Sequence, residues 1–397
     1  MQPYVTIGTL TRKLGALNLQ LPVTPEMDQL TIGGLCLGYG IESSSHIHGL
    51  FFDASVIEVE VVTAAGEIVL CTRDNQYEDL FRALQWSYGT LGFAVTFKLK
   101  LLPAKPYVKL TLENITSYDE AERRSLADIT KKNAPFYYEG LVFGTKHTAL
   151  IYGDVCDTVP AGAELYNPMK RWWEPFFHRY VEQKTKNATA PVTVYMPLRD
   201  YLHRYYRGLF WEVELLIPGA NTDLFRFVFG WLCPPHTKHL KMLQTEEMFE
   251  QLNKDHVVQD VLVPVHQLAN LLRKCEVWFD IYPLWFVFHS PPGPGDMMRP
   301  DPKDPKNGLF VDVGVWGVPG RVLSGKQKDF DGEARTRDLE AFLRDVTGLQ
   351  TLYATTFQTE AEFNKMFDLS HYNKMRVKYA AESTFPTVFD KVRLRRN

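Results

Sequence analysis

Residues Leu30 to Gly49 (LTIGGLCLGYGIESSSHIHG) combine paired glycines, three consecutive serines and two histidines, a composition that neither a helix nor a strand selects for its own stability. The chemistry such residues offer is anion binding. Gly33 and Gly34 lack Cβ atoms, can adopt φ > 0 and can turn successive N–H groups toward one ligand, while Ser43, Ser44 and Ser45 add hydroxyl donors. A phosphate or pyrophosphate is the natural guest, and a plain glycine-rich surface turn is the alternative. A second glycine element, Trp86 to Phe93 (WSYGTLGF), follows about forty residues later.

The elements that must position these loops are legible from periodicity. Ile7, Leu10, Leu14 and Leu17 are spaced as one face of a short helix within Val5 to Leu17. Leu21 to Pro25 is extended, because each proline pushes its predecessor out of the α region, and it delivers the chain into the first glycine stretch. Val56 to Thr63 and Ile68 to Thr72 alternate as a hairpin around Ala65-Gly66; a helix from Tyr77 to Leu84, capped by Asp74 or Asn75, precedes the second glycine element. That element leads into a half-buried strand from Ala94 to Leu102. Beyond Ala104-Lys105-Pro106 the composition shifts to aromatic and charged segments, which sets a boundary between residues 1–104 and 105–397. Strands at Tyr107 to Leu112, Tyr137 to Phe143, Thr148 to Asp154, Val277 to Phe288 and Leu309 to Gly317 are expected in the second part. So are helices at Tyr118 to Lys132, Arg335 to Val346 and Glu360 to Phe367, an α+β pattern with a Pro/Gly/Asp loop from Pro291 to Asn307.

At 397 residues with 45% hydrophobic content the chain exceeds the size of one growing core, so two domains are expected. A net charge of −3, with both signs mixed, gives no basic field for nucleic acid. Cys36, Cys71, Cys156, Cys233 and Cys275 are odd in number and never in CxxC spacing, which argues against a disulfide framework or a metal site and for reduced thiols facing the cytosol. No apolar run is long enough to span a bilayer. Two aromatic windows, Leu224 to Pro235 and Tyr282 to His289, suit a core first, and otherwise an apolar ligand pocket or an interfacial contact. The run from Thr193 to Val213 is rich in Tyr, Arg and His, and reads either as an exposed helix face or as part of a site. The basic end, Lys391 to Arg396, reads as a solvated tail.

The order GG, polar loop, hairpin, helix, GTLGF and strand resembles the second subdomain of the PCMH-type (vanillyl-alcohol oxidase-like) FAD-binding domain, followed here by an α+β substrate or cap domain. The strings GIESSSH, WSYGTLGF, LPAKPYVKL, YMPLRDYLHRYYRGLFWE, FGWLCPP, HVVQDVLVP, IYPLW and LFVDVGVWG, colinear across both parts, further resemble the delta-24-sterol reductase (seladin/Diminuto) family. The resemblance implies an FAD-dependent, NADPH-using enzyme that saturates the delta-24 side-chain double bond of sterols at the cytosolic face of the endoplasmic reticulum membrane. Family members carry an N-terminal anchor and the first half of the flavin domain upstream of the matched region, so weak or absent FAD retention is expected of this polypeptide.

By the same resemblance Pro22, Val23, Pro25, Thr31, Gly33, Gly34, Gly38, Glu42, Ser43, Ser44, Ser45, His46, Gly49, Gly89, Thr90 and Gly92 belong to the FAD side. Gly33 and Gly34 are assigned to the pyrophosphate, Glu42 and the serines to ribityl or ring heteroatoms. The reaction also needs an acid to protonate the second alkene carbon. Tyr195, His203, Tyr205, His256, Tyr282 and Tyr353 qualify by chemistry alone, Arg199, Arg204 and Arg207 are available to a cofactor 2′-phosphate, and the aromatic windows are where the apolar sterol is expected. The alternatives are an oxidase of the same fold, passing electrons to oxygen, or a non-catalytic sterol-binding fragment.

Overall fold

The computed structural model describes residues 1–217, 219–234, 255–290, 293, 295–306 and 308–393. Its largest element is an eight-stranded sheet in which every pairing is antiparallel, in the order β13 (Leu349–Gln350), β10 (Val257–Pro264), β12 (Phe310–Gly317), β11 (Leu284–His289), β7 (Tyr137–Gly144), β8 (His147–Cys156), β6 (Tyr107–Ile115) and β9 (Val192–Pro197). The first part of the chain builds a three-stranded sheet, β3 (Ile68–Thr72), β2 (Val56–Val62) and β4 (Phe93–Leu99). A two-residue pairing of β1 (Leu19–Gln20) with β5 (Leu102–Pro103) accompanies it. The chain crosses from one sheet system to the other at residues 104–106.

Strands β10, β11 and β12 are buried on both faces, which explains their near-continuous Val, Leu, Trp and Phe. One face meets the helices Tyr118–Ile129 and Leu268–Trp278; Tyr138 on that face donates its hydroxyl to Ser125 at 3.1 Å. The register puts Glu139, Trp285, Val287, Asp260, Asp312, Gly314 and Trp316 on the opposite face, turned toward the first part of the chain. Gly140 makes the helix-side packing possible: a Cβ there would stand 2.0 Å from the Phe286 ring. Gly140→Val is therefore expected to cost about 1–3 kcal/mol by overpacking, read as a lower midpoint in urea with an unchanged slope.

Several expected elements differ in extent. Val277 to Phe288 is not one strand, because the helix Leu268–Trp278 runs through its start and β11 begins only at Leu284. The helix expected from Tyr77 begins at Glu78 without a side-chain cap; Asn75 Oδ1 instead accepts the Tyr77 N–H at 3.0 Å. The 193–213 run is not an exposed face: Tyr201, His203, Arg204 and Tyr205 are all buried. The window from Leu224 is not core, since Leu224, Phe227, Val228, Phe229, Trp231 and Leu232 are exposed, whereas Leu284 to Phe288 is fully buried. Pro235, Pro291, Pro292, Pro294 and Asn307, and residues 394–397 of the basic end lie outside the described residues.

The C-terminal segment does not stay with the large sheet. Helix Ser370–Lys378 returns to the first part, where His371 Nε2 meets Asp79 O at 2.9 Å and Tyr379 donates to Asp79 Oδ1 at 2.9 Å. Buried Arg376 donates to Thr90 O at 3.0 Å and to the carbonyls of Phe385 and Pro386. The described residues after 104 thus lie partly in the large sheet and partly against the first part of the chain. Among the described residues no helix is long and apolar enough to cross a membrane, and no group of His, Cys, Asp and Glu has a metal-holding arrangement.

Candidate functional site

The two glycine elements lie side by side. Leu37 O accepts the Tyr88 N–H at 2.6 Å and Gly38 O accepts the Trp86 N–H at 3.3 Å; Tyr39 and Trp86 pack with ring centroids 4.8 Å apart. Gly38 permits this approach, because a Cβ there would meet Gly34 O at 2.7 Å and the Tyr88 ring at 3.3 Å. Gly89 takes φ +73°, a conformation that favours glycine, and Gly92 lets the chain pass Val61 and Val62.

Inside these loops the donors are arranged differently from the sequence expectation. Gly33 and Gly34 are helical, within Ile32–Leu37, and neither has positive φ. The Gly33 N–H is taken by Pro3 O at 2.8 Å and the Gly34 N–H by the capping Thr31 hydroxyl at 3.3 Å, so the pair forms no free nest for a pyrophosphate. The serine hydroxyls are also spent internally. Ser44 donates to Pro22 O at 2.8 Å, Ser45 Oγ accepts the Glu42 N–H at 3.0 Å, and Ser43 Oγ donates to Glu42 and lies 3.0 Å from Tyr201 OH. Thr90 is bound to Ser87 O and Tyr372 OH, each at 2.7 Å. These residues build the loops and bring Pro22, Val23 and Pro25, all buried, against them; Gly49, at φ +85°, turns the chain beside Ser290.

Glu42 faces the sheet and ends on Arg204. That guanidinium, fully out of solvent, donates to Glu42 Oε1 at 2.7 Å and to both oxygens of Glu139 at 2.7 and 2.6 Å. Tyr205 OH and Trp285 Nε1 complete Glu139 at 2.9 and 2.7 Å. Two carboxylates share one cation, and a third acid, Glu26, is pushed up to about 8 by burial and by the neighbouring Glu42. Burial likewise raises Glu42 against the opposing pull of Arg204.

Further along the same sheet face stand Asp260 and Asp312, on adjacent strands and fully or almost fully buried. Burial holds both carboxyls well above the usual carboxylate range, Asp260 further by its neighbour Asp312. Tyr39 lies over them from the first glycine element. Asp312 Oδ1 and Oδ2, Asp260 Oδ1, the Tyr39 and Tyr88 hydroxyls, Thr24 Oγ1, His46 Nδ1 and the Trp86 and Trp316 indole N–H groups make no hydrogen bond of ordinary geometry. Buried polar atoms left in this state are what a bound polar ligand or ordered water satisfies. His46 Nε2 meets Pro135 O at 2.9 Å, and burial brings its pKa down to about 4. Across the sheet His289, stacked on Phe310, is lowered to about 4 by the same cause.

The acids and bases singled out from sequence are scattered, with one exception. Tyr205 joins the Glu139 cluster. His203 is a buried clasp, held by Thr11 Oγ1 at 2.8 Å and Asp28 Oδ1 at 2.7 Å. Tyr195 sits on edge strand β9, on the sheet face away from Glu139. His256 pairs with Glu212, Tyr282 OH with Tyr118 OH at 3.1 Å, and Tyr353 is exposed. Arg204 and Arg207 cannot reach a cofactor phosphate: the first is locked between carboxylates, the second is buried on Trp172 O and Glu174 O. Arg199 pairs with Asp28 and lines a largely apolar cleft of about 350 Å³ with Arg12 and Lys105.

The acids that do converge, Glu26, Glu139, Asp260 and Asp312, are absent from any loop motif. For Glu139, Asp260 and Asp312 the signal is an acid inside a largely apolar strand, as in VVQDVLVP and LFVDVGVWG, since such residues are rarely buried without a role.

No family model matches the chain. The delta(24)-sterol reductase of Homo sapiens is 37% identical over 395 residues, 99% of this chain and 73% of the relative. That of Arabidopsis thaliana is 34% identical over 412 residues, 98% of this chain and 72% of the relative. Cytokinin dehydrogenase 7 of Oryza sativa subsp. japonica is 26% identical over 117 residues, 29% of this chain and 22% of its own length. With more than a third of positions shared along nearly its whole length, the chain belongs to the delta(24)-sterol reductase family of oxidoreductases.

Proposed function

We propose that this chain reduces the delta-24 side-chain double bond of sterols, using FAD bound between the glycine elements and the large sheet and NADPH as the source of electrons, at the endoplasmic reticulum membrane. The single observation that carries this reading is the end-to-end similarity to delta(24)-sterol reductases of animals and plants. The shorter similarity to a cytokinin dehydrogenase supports the PCMH-type arrangement of the first part.

The residues present fit the ring end of a flavin better than its diphosphate. Tyr39, Tyr88, Trp86, Thr24 and His46 offer buried donors and acceptors without partners, where ring heteroatoms would be received, whereas the N–H groups of Gly33 and Gly34 are already bonded. When bound, the flavin supplies hydride transfer. The protein's own part is to exclude water, to hold the side chain of the sterol against the sheet face, and to keep a proton ready on a buried acid.

The test supplies FAD, NADPH and desmosterol to the purified chain. NADPH should be consumed one for one with the side-chain-saturated product. Peroxide formed from an alcohol without NADPH would instead identify an oxidase, and sterol binding without turnover a binding fragment. The visible spectrum after gel filtration reads flavin retention independently of turnover.

A further inference from the structure

We propose that Asp312 is the proton donor to the sterol alkene, with Asp260 as its partner carboxyl on the neighbouring strand; this rests on the sterol-reduction reading above. Three features of the sheet face carry it. The first is placement. Asp260 pairs with Gly314 and Asp312 with Leu262 across β10 and β12, so the two carboxyls are diagonal neighbours on the one face that looks toward the glycine elements.

The second is close approach. Gly314 lets the Asp260 carboxyl and the Trp316 ring crowd onto one spot of this face, because a Cβ there would stand 3.0 Å from both. The third is unmet bonding. Asp312 is 0% exposed, and its neighbours Tyr39 OH and Val313 N–H reach neither oxygen with ordinary hydrogen-bond geometry. Asp260 Oδ1 and the Trp316 indole N–H on the same sheet face are likewise without a bond of ordinary geometry. Buried acids held for structure alone are satisfied by neighbours, as Glu139 is by Arg204, Tyr205 and Trp285.

The step balances without a further reagent. A hydride, ultimately from NADPH through the flavin, brings two electrons to one alkene carbon. The π pair forms the C–H bond at the other carbon with the Asp312 proton, and the Asp312 O–H bond breaks to leave a carboxylate, which water then reprotonates. The groups facing the pair are Tyr39 from the first glycine element and Glu26 from the segment before it, with Tyr88 and Asp296 facing Tyr39 in turn. Apart from Arg204, which acts on Glu26 rather than on the pair, none is a cation that would hold Asp312 ionised.

Asp312→Asn keeps shape and neutrality, so it removes the proton with little change in packing. Using the flavin- and NADPH-loaded full chain, sterol reduction should fall by roughly 10²–10⁴-fold while reduction of the flavin by NADPH keeps its rate. The infrared band of a protonated carboxylic acid, recorded in H2O and D2O without substrate, should lose intensity in D312N. Wild-type sterol reduction by D312N, or an unchanged infrared band, would overturn the assignment. Should D312N fail to fold, Asp260→Asn tests the same claim. Because the two carboxyls titrate as a coupled pair, the alkaline limb of the rate profile should shift in D260N; an unmoved limb would refute the pairing. If the wild type shows no NADPH-dependent sterol reduction, the function proposed above fails, and the infrared comparison still decides whether Asp312 carries a proton.

Discussion

Arg204→Met is expected to abolish a stably folded protein. The guanidinium is the only counter-charge in direct contact with Glu42 and Glu139 among the described residues, and all three side chains are essentially out of solvent. Removing one partner of such a cluster leaves uncompensated buried charge, at a cost of about 3–5 kcal/mol, against a total stability of about 5–15 kcal/mol for an ordinary domain. The loss is compounded because Arg204 also donates to Tyr201 O at 3.1 Å and lies over the Tyr201 and Tyr205 rings at 4.4 and 4.8 Å. Soluble yield and urea midpoint are the measurements. The triple variant R204M/E42Q/E139Q should recover much of the loss, since neutral amides remove the stranded charges; a triple variant no better than R204M would mean that packing against the two rings, not charge, is what Arg204 contributes.

That cluster also shows what the sequence discloses and what it withholds. The loop pairing was legible, because glycines at fixed offsets mark places where backbone must approach backbone, as Gly38 does beside Tyr88. Most strands were legible from alternation or from continuous apolar runs, as at β2 and β12. The use of the donors was not. Paired glycines are as compatible with a short capped helix as with an anion nest, and only the contacts of Pro3 and Thr31 decide between them. The convergence of Glu26, Glu42, Glu139 and Arg204 joins residues up to 178 positions apart, through pairing that no local pattern encodes. The same holds for the 193–213 run, whose titratable groups suit a solvated face or a site equally well in sequence, while His203 and Arg204 are buried in the fold. Helix Ser370–Lys378 could not be assigned to the first part from its own residues, because its partner Asp79 lies far back in the chain.

Stability should fall with rising pH, gently in the mildly acidic range and more steeply between about pH 6.5 and 8, and the sign follows from buried acids and histidines. Glu26 and Asp296 hold protons in the fold up to about 8, whereas in the unfolded chain they release them near 4.5 and 3.8. Across that interval the native state binds more protons, so each group makes stability fall with rising pH by roughly 1 kcal/mol per unit. His46 and His289 act in the opposite sense: neutral in the fold down to about 4, they take up protons below 6.5 when unfolded, so they make stability rise with pH between about 4 and 6.5. Below 6.5 the two histidines offset Glu26 and Asp296, which leaves Asp260 and Asp312 to make stability decline gently. Above it the histidines are neutral in both states and the acids act alone, reinforced by Asp260 and Asp312, whose carboxyls are raised in the same direction. Glu26→Gln, which cannot ionise, should shrink the difference in unfolding free energy between pH 6.5 and pH 8. A parallel, undiminished decline in E26Q, measured by urea unfolding at both pH values, would place the titrating group elsewhere; a shallower decline with an unchanged urea slope would locate it in the acid cluster that Arg204 holds only in part.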